Sequence, residues 1–143
     1  MHVTARFLGD VEEASVGALG TALEVATRGR SCFELRAATL GAFPDARRAR
    51  VLVVPLADEG RAAEIVATLE DELAALGFSR ETRAYVPHLT LARFRAPADV
   101  RALVASTPVA MHGHATRLVL FRSELGPRGP TYTELARADL GTA

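Results

Sequence analysis

The chain has 143 residues, with 17 arginines, no lysine and 17 carboxylates, so its formal net charge is zero. Hydrophobic residues make up 49% and charged residues 24%, which is ordinary for a globular chain and speaks against disorder. Zero net charge excludes a broad electrostatic footprint for duplex nucleic acid, so any nucleic-acid contact must be local. The single cysteine, Cys32, excludes an internal disulfide, and no signal peptide or membrane-spanning apolar run is recognisable. We therefore expect one cytoplasmic domain.

Hydrophobic periodicity and turn residues divide the chain into alternating strand and helix signals. In chain order they predict a strand over 1–8, a helix over 11–28, a strand over 33–37, a turn-rich polar stretch over 41–50, an interior strand over 51–54, a helix over 60–76, a strand over 86–94, a short helix from about 97 to 106, and strands over 109–112, 117–122 and 132–136. This order indicates an α+β fold in which antiparallel sheets pack under helices.

Two tripeptides stand in matching frames, His2-Val3-Thr4 and His88-Leu89-Thr90. Alternate side chains of a β-strand share a face, so each His and Thr can point into a cleft while Val3 or Leu89 faces the core. A pair of histidines can divide general-base and general-acid work near neutral pH, which is what phosphodiester cleavage without a metal requires. The two tripeptides therefore predict one shared catalytic site.

The segments that contain the two tripeptides, together with two further segments, resemble the bacterial RNA 2′,3′-cyclic phosphodiesterases of the 2H phosphoesterase superfamily, once called 2′-5′ RNA ligases. The segments that carry the resemblance are Met1-His2-Val3-Thr4-Ala5-Arg6-Phe7-Leu8-Gly9-Asp10-Val11, Phe43-Pro44, Pro87-His88-Leu89-Thr90-Leu91-Ala92-Arg93 and Ser123-Glu124-Leu125-Gly126.

The resemblance implies a bilobal α+β fold in which two similar antiparallel sheets, flanked by helices, enclose a central cleft. It implies cofactor-free and metal-independent opening of a 2′,3′-cyclic phosphate to a 2′-phosphate and, in reverse, joining of RNA ends through a 2′-5′ bond. By that resemblance His2 is the proton donor and His88 the proton acceptor, and Thr4 and Thr90 hold phosphate oxygens or orient the imidazoles. RNA 3′ ends or small cyclic nucleotides are the expected substrates. We expect a monomer with no obligate protein partner and no membrane contact.

One departure from the family pattern concerns the N-terminus. Members normally carry a further strand and helix before the first motif, whereas here His2 directly follows the first methionine. Either the chain starts at an internal methionine, or it is a real truncation that lacks one strand of a lobe. We therefore expect a single 2H phosphoesterase domain over residues 1–143 that is truncated at its N-terminus, with His2 on a terminus prone to fraying.

Two arginines are candidate ligands of the substrate phosphate. Arg6 has the same strand parity as His2 and Thr4, although a solvated salt bridge explains it equally well. Arg93 has the opposite parity to His88, so a regular strand turns it away from the site, and only a β-bulge or the strand end would bring it back.

Other polar clusters allow a second interpretation. The alternate histidines of His112-Gly113-His114 could bind a metal, but the sequence offers no third ligand at a suitable spacing, so we expect no metal site. The run Arg47-Arg48-Ala49-Arg50 is either a solvated loop or a contact to an RNA backbone.

Two further functions stay open, a phosphodiesterase for a small cyclic nucleotide or a tRNA-splicing product, and a non-catalytic nucleotide-binding module of the same fold.

Overall fold

The computed structural model describes residues 2–142. A 3₁₀ turn over Glu13–Ser15 precedes the first of the three α-helices within these residues. The helices are α1 (Val16–Thr27), α2 (Arg61–Ala75) and α3 (Arg101–Ser106). The strands are β1 (Phe33–Ala37), β2 (Gly41–Phe43), β3 (Ala49–Pro55), β4 (His88–Ala98), β5 (Met111–Ala115), β6 (Arg117–Gly126) and β7 (Gly129–Asp139).

The α+β class and the antiparallel pairing expected from the sequence are confirmed. β2 pairs with β3, β3 with β4, and β6 with β7, each antiparallel. Within residues 2–142 the strands form three hydrogen-bonded groups, in the orders β1-β5, β2-β3-β4 and β6-β7. None of the described helices combines the length and the apolar character that crossing a membrane requires.

The third helix begins at Arg101, and Pro97, near which its start was predicted, lies in β4. Two predictions about strands are also wrong. Residues 2–8 contain no strand, and Met1, where that strand was predicted to begin, lies outside the described residues. The stretch over 41–50, predicted to be a turn, contains the three-residue strand β2. Both errors have one cause: β-propensity expresses packing against a neighbouring strand, which a local pattern does not specify.

The first compact unit consists of residues 2–5, 34–63 and 85–114. Its β3 is the central strand of a three-stranded sheet, as the apolar run over 51–54 predicted. One face of this sheet packs on two clusters of buried side chains. The first contains Ala37, Leu40, Val54, Leu56 and Leu89, and the second contains Ala49, Leu52 and Val100.

The second compact unit consists of residues 6–33, 64–84 and 115–142. Helix α1 packs on the ribbon formed by β6 and β7. Helix α2 continues into this unit from the first, and its apolar stripe is the one that the 3.6-residue period predicted. The buried members of that stripe are Ile65, Val66, Leu69 and Leu73.

Both ends of α2 follow from local sequence. At its start, Asp58 accepts hydrogen bonds from the backbone N–H groups of Gly60 (3.0 Å) and Ala62 (2.6 Å). Such a side-chain acceptor satisfies amides that have no partner within the helix. At its end, Gly77 has φ +93°, the left-handed conformation that favours glycine after a helix.

Candidate active site

The second His-x-Thr motif lies at the start of β4. His88 is paired with Pro55 of β3, Leu89 with Val54, and Thr90 with Val53. Leu89 is buried in the first apolar cluster, whereas His88 is half-buried and Thr90 is exposed. The predicted division is therefore confirmed here, because the apolar residue between His88 and Thr90 enters the core and the two polar residues share the opposite face.

Two contacts fix the imidazole of His88. Its Nδ1 lies 2.7 Å from the carbonyl oxygen of Val86. A carbonyl only accepts, so Nδ1 carries the proton and Nε2 of the neutral ring is left as the proton acceptor. The ring of Phe43 on β2 meets the imidazole edge-on, with centroids 5.1 Å apart and planes at 79°. These contacts define both the tautomer and the orientation of the ring.

The first His-x-Thr motif is held without strand pairing. Val3 packs against the same apolar cluster that contains Leu89, so the middle residues of the two motifs share one core within the first unit. The carbonyl oxygen of Thr4 accepts a hydrogen bond of 3.1 Å from the hydroxyl of Tyr85. Burial, with a smaller effect of the Asp58 charge, raises the pKa of Tyr85 to about 12. Its hydroxyl therefore stays protonated, and able to donate, throughout the neutral range.

Arg6 lies in an ion pair rather than at a free site. Its Nε is 2.6 Å from Oε1 of Glu70, and its side chain also donates to the backbone carbonyls of Phe7 and Ser79. The side chains of Arg6 and Glu70 are only 18% and 12% exposed. The structure thus favours the salt-bridge alternative, and we do not retain Arg6 as a phosphate ligand.

Arg93 is returned to the face of the second motif by a β-bulge. The register shifts between Leu52 and Val53, so that Leu52 pairs with Ala92 and Val53 with Thr90. β4 therefore has one extra residue at the bulge. Thr90 pairs with Val53, and Arg93 pairs with Val51. Because Val53 and Val51 are two residues apart on β3, the side chains opposite them lie on the same face of the sheet. An exposed guanidinium now shares the sheet face of His88 and Thr90. Regular strand parity had predicted the opposite direction.

Comparison with known proteins identifies the family. The LigT-like phosphoesterase family model matches residues 54–132. The RNA 2′,3′-cyclic phosphodiesterase of Methanothermobacter thermautotrophicus is 31% identical over 140 residues, a match that covers 94% of this chain and 76% of that protein. This chain belongs to the LigT-like phosphoesterase family.

Solved structures support the assignment of this chain to the same family. The crystal structure of TT0787 from Thermus thermophilus superimposes with a TM-score of 0.76 at 31% identity, covering 99% of this chain and 78% of that one. Escherichia coli LigT in complex with 3′-AMP gives a TM-score of 0.73 at 26% identity, covering 97% and 76%. The two matched chains therefore extend beyond the part to which this phosphoesterase corresponds. N-terminal truncation stays a prediction.

Phe43 and Tyr85 were missed as site residues. Phe43 served only as a landmark of the family resemblance, and Tyr85 stands three residues before His88, outside both His-x-Thr motifs. From the sequence alone, an aromatic residue near a motif is interpreted as part of the hydrophobic core, because only the fold shows what it contacts. The contact of Phe43 with His88 and that of Tyr85 with the Thr4 carbonyl join residues far apart in the sequence, so a short stretch of sequence does not reveal them.

The two histidines of His112-Gly113-His114 lie on the exposed face of β5. Both side chains are exposed. The hydrogen bond from Arg36 lowers the pKa of Glu34, and His114 and His112 add smaller electrostatic effects in the same direction. Within residues 2–142, no group of three or more His, Cys, Asp or Glu side chains is arranged to hold a metal ion.

Proposed function

We propose that this phosphoesterase hydrolyses the 2′,3′-cyclic phosphate ends of RNA to 2′-phosphates, with His2 and His88 as the proton-transfer pair and no metal ion. The observation that carries the proposal is that Val3 and Leu89 share one apolar cluster, so that both His-x-Thr frames belong to one compact unit. The curated relative in Methanothermobacter thermautotrophicus is named an RNA 2′,3′-cyclic phosphodiesterase.

In the proposed reaction His88 acts as the general base. Its Nε2 accepts a proton from water, because Nδ1 is occupied by the Val86 carbonyl 2.7 Å away. The oxygen of that water attacks phosphorus, the bond from phosphorus to O3′ breaks, and His2 gives a proton to the departing O3′. One proton is taken up and one is released, so the pair is reset after each cycle by proton exchange with solvent.

The remaining site residues stabilise the charge that develops on the phosphate. Thr4 and Thr90 offer hydroxyl donors, and Arg93 offers a guanidinium on the face of Thr90. Positioned donors of this kind stabilise a transition state more than a ground state. If the 5′-hydroxyl of a second RNA takes the place of water, His88 would accept its proton, its oxygen would bond to phosphorus, the bond from phosphorus to O3′ would break and His2 would protonate O3′, which joins the RNA ends through a 2′-5′ bond. The two histidines would exchange roles only in the opposite direction, in which O3′ attacks phosphorus and the 2′-5′ bond is cleaved.

The test is incubation of this chain in EDTA with a short RNA that ends in a 2′,3′-cyclic phosphate, followed by chromatographic separation of 2′- and 3′-phosphate products. We expect a 2′-phosphate, a bell-shaped pH profile of kcat/KM, and a loss of roughly 10²–10⁴-fold on His88→Ala. His112→Ala, an exposed histidine of the same unit, is the matched control and should retain full activity. A requirement for metal, or near wild-type turnover by His88→Ala in a folded protein, would overturn the mechanism.

Three further expectations stay predictions: a cytoplasmic location, a monomeric state and the absence of an obligate protein partner. Sedimentation of the purified chain, with and without RNA, checks the second of them.

A further inference from the structure

Charge is distributed unevenly between the two compact units, although the chain as a whole is neutral. The first unit carries eight arginines and five carboxylates, and the second carries nine arginines and twelve carboxylates. Much of the positive excess of the first unit lies where β3 begins and β4 ends. We call this region the basic patch and define it as Arg47, Arg48, Arg50 and Arg95, all of which are exposed.

Hydrogen bonds to backbone carbonyls join the segments that carry the basic patch. Nη1 of Arg50 donates to the carbonyl of Arg95 at 3.0 Å, which joins the two strands. The loop before β3 is tied to the segment after β4 by a 2.8 Å hydrogen bond from the N–H of Val100 to the carbonyl of Ala46. The patch is therefore a defined surface of the sheet end rather than a set of unrelated side chains.

Both carboxylates of this region are already engaged. Oδ1 of Asp45 accepts from the backbone N–H groups of Arg47 (2.8 Å) and Arg48 (3.1 Å), which shapes the loop and leaves their guanidinium groups in solvent. The Asp99 carboxylate binds the side chain of Arg101, with the shorter contact 2.7 Å long. Neither acid is paired with a guanidinium of the basic patch, although the Arg47 charge contributes weakly to the lowered pKa of Asp99.

We infer that the basic patch binds the phosphodiesters on the 5′ side of the RNA end, and this inference rests on the proposed function. β4 carries His88 and Thr90 at its start, then Arg93 on their face, then Arg95. At about 3.3 Å per residue, Arg95 lies on the order of 20 Å along the strand from His88. The reacting nucleotide alone does not span that distance, whereas a single strand that follows β4 does.

Single-stranded RNA is the ligand that this chemistry favours. Guanidinium groups bind phosphate oxygens in bidentate geometry, and cationic grooves that follow a backbone bind single strands. The patch is narrow and the rest of the chain is neutral or acidic, so duplex binding through a broad electrostatic surface is not expected. The inference therefore predicts that the phosphoesterase prefers an oligonucleotide to a cyclic mononucleotide.

The experiment compares two substrates and two variants. The substrates are a ten-nucleotide RNA ending in a 2′,3′-cyclic phosphate and the corresponding cyclic mononucleotide. The test variant is Arg47→Gln/Arg48→Gln/Arg95→Gln, in which Arg50 is kept because its side chain supports the strand end. The control variant is Arg28→Gln/Arg80→Gln/Arg117→Gln, which removes the same charge from exposed positions of the second unit.

For the ten-nucleotide RNA we expect KM of the test variant to rise about tenfold or more at low salt, with kcat unchanged. Each neutralised phosphate of a single strand contributes about 0.7 to the slope of log affinity against log salt, so this slope should fall by about 2. The kinetics on the cyclic mononucleotide and the behaviour of the control variant should not change. An unchanged KM for the longer RNA, or equal losses on both substrates or in both variants, would overturn the inference.

Failure of the proposed function is distinguishable from failure of this inference. If the wild-type chain hydrolyses neither substrate, the proposed function fails. Binding of a fluorescein-labelled ten-nucleotide RNA, measured by anisotropy at several salt concentrations, then tests the patch without any turnover. Equal affinity of the wild-type chain and the test variant would refute the patch on its own.

Discussion

The same tripeptide frame is held in two different ways in this phosphoesterase. The second motif lies on β4 and is paired residue by residue with β3. The first lies on a segment with no strand within residues 2–8, held by Val3 in the core, by the Tyr85 hydroxyl on the Thr4 carbonyl and by the Arg6–Glu70 ion pair. A hydrogen-bonded ladder distributes the constraint over many backbone groups, whereas side-chain anchors concentrate it in a few. Single substitutions should therefore have effects of different size on the two motifs.

The largest difference should appear between the two apolar residues in the middle of the motifs. Leu89 is 9% exposed, so Leu89→Ala should lower the free energy of unfolding by about 2–4 kcal/mol through lost burial and a cavity. Val3 is only partly buried and loses less on truncation, so Val3→Ala should cost about 1 kcal/mol. Urea denaturation of both variants measures the difference. Equal costs would show that the first motif is as firmly held by the core as the second.

The ion pair of Arg6, two residues after Thr4 in the sequence, should have the next largest effect. Glu70→Gln leaves a mostly buried Arg6 without its carboxylate, and we expect a loss of roughly 1–3 kcal/mol of stability, between the values for surface and buried pairs. The same variant should lower kcat/KM, because residue 6 follows the motif closely.

Asp71→Asn is the control for Glu70→Gln. Asp71 is the next residue on α2, and its ion pair with Arg80 is exposed on both sides, at 68% and 58%. It should cost less than about 0.5 kcal/mol and leave turnover unchanged. If both variants behaved alike in melting and in turnover, the Arg6–Glu70 pair would not be an anchor of the motif.

A smaller effect is expected from the hydroxyl of Tyr85. Tyr85→Phe keeps the ring and removes one hydrogen bond, worth about 0.5–1.5 kcal/mol, to the Thr4 carbonyl. We expect kcat/KM to fall roughly 3–10-fold through looser positioning of Thr4 and His2. Because the pKa of Tyr85 is raised to about 12, the hydroxyl stays a donor from pH 5 to 9, and the wild-type to variant ratio should be constant over that range. A ratio that changes with pH would assign Tyr85 a proton-transfer role instead.

The smallest effect concerns the surface pair of Asp99 and Arg101. Hydrogen bonds from Arg101 lower the pKa of Asp99 to about 2, below its ordinary value of 3.8. A carboxyl with a lowered folded-state pKa stabilises the fold above the unfolded pKa, and this contribution is lost as pH falls through the folded value. The Tm difference between wild type and Asp99→Asn should therefore be constant above about pH 5 and shrink to a small fraction of that value by about pH 2. A difference that is as large at pH 2 as at pH 7 would exclude this carboxylate as its source.

Local sequence was enough to predict much of this fold. The stripe of α2 and its glycine end, the apolar run of β3 and the inward direction of Leu89 all depend on spacing between neighbouring residues, and all were confirmed. The paired histidine frames likewise required no structure to be noticed. A period of 3.6 or 2 residues is a property of the chain itself, so it can be read before the chain folds.

Only the tertiary structure decided how the site is assembled. The bulge opposite Leu52 and Val53 turned Arg93 to the face of Thr90, and Glu70, far away in sequence, engaged Arg6. The predicted first strand did not form, and β2 formed within a stretch predicted to be a turn. Strand pairing, register and ion pairs are contacts between residues distant in sequence, and their free energy depends on what the folded chain brings alongside.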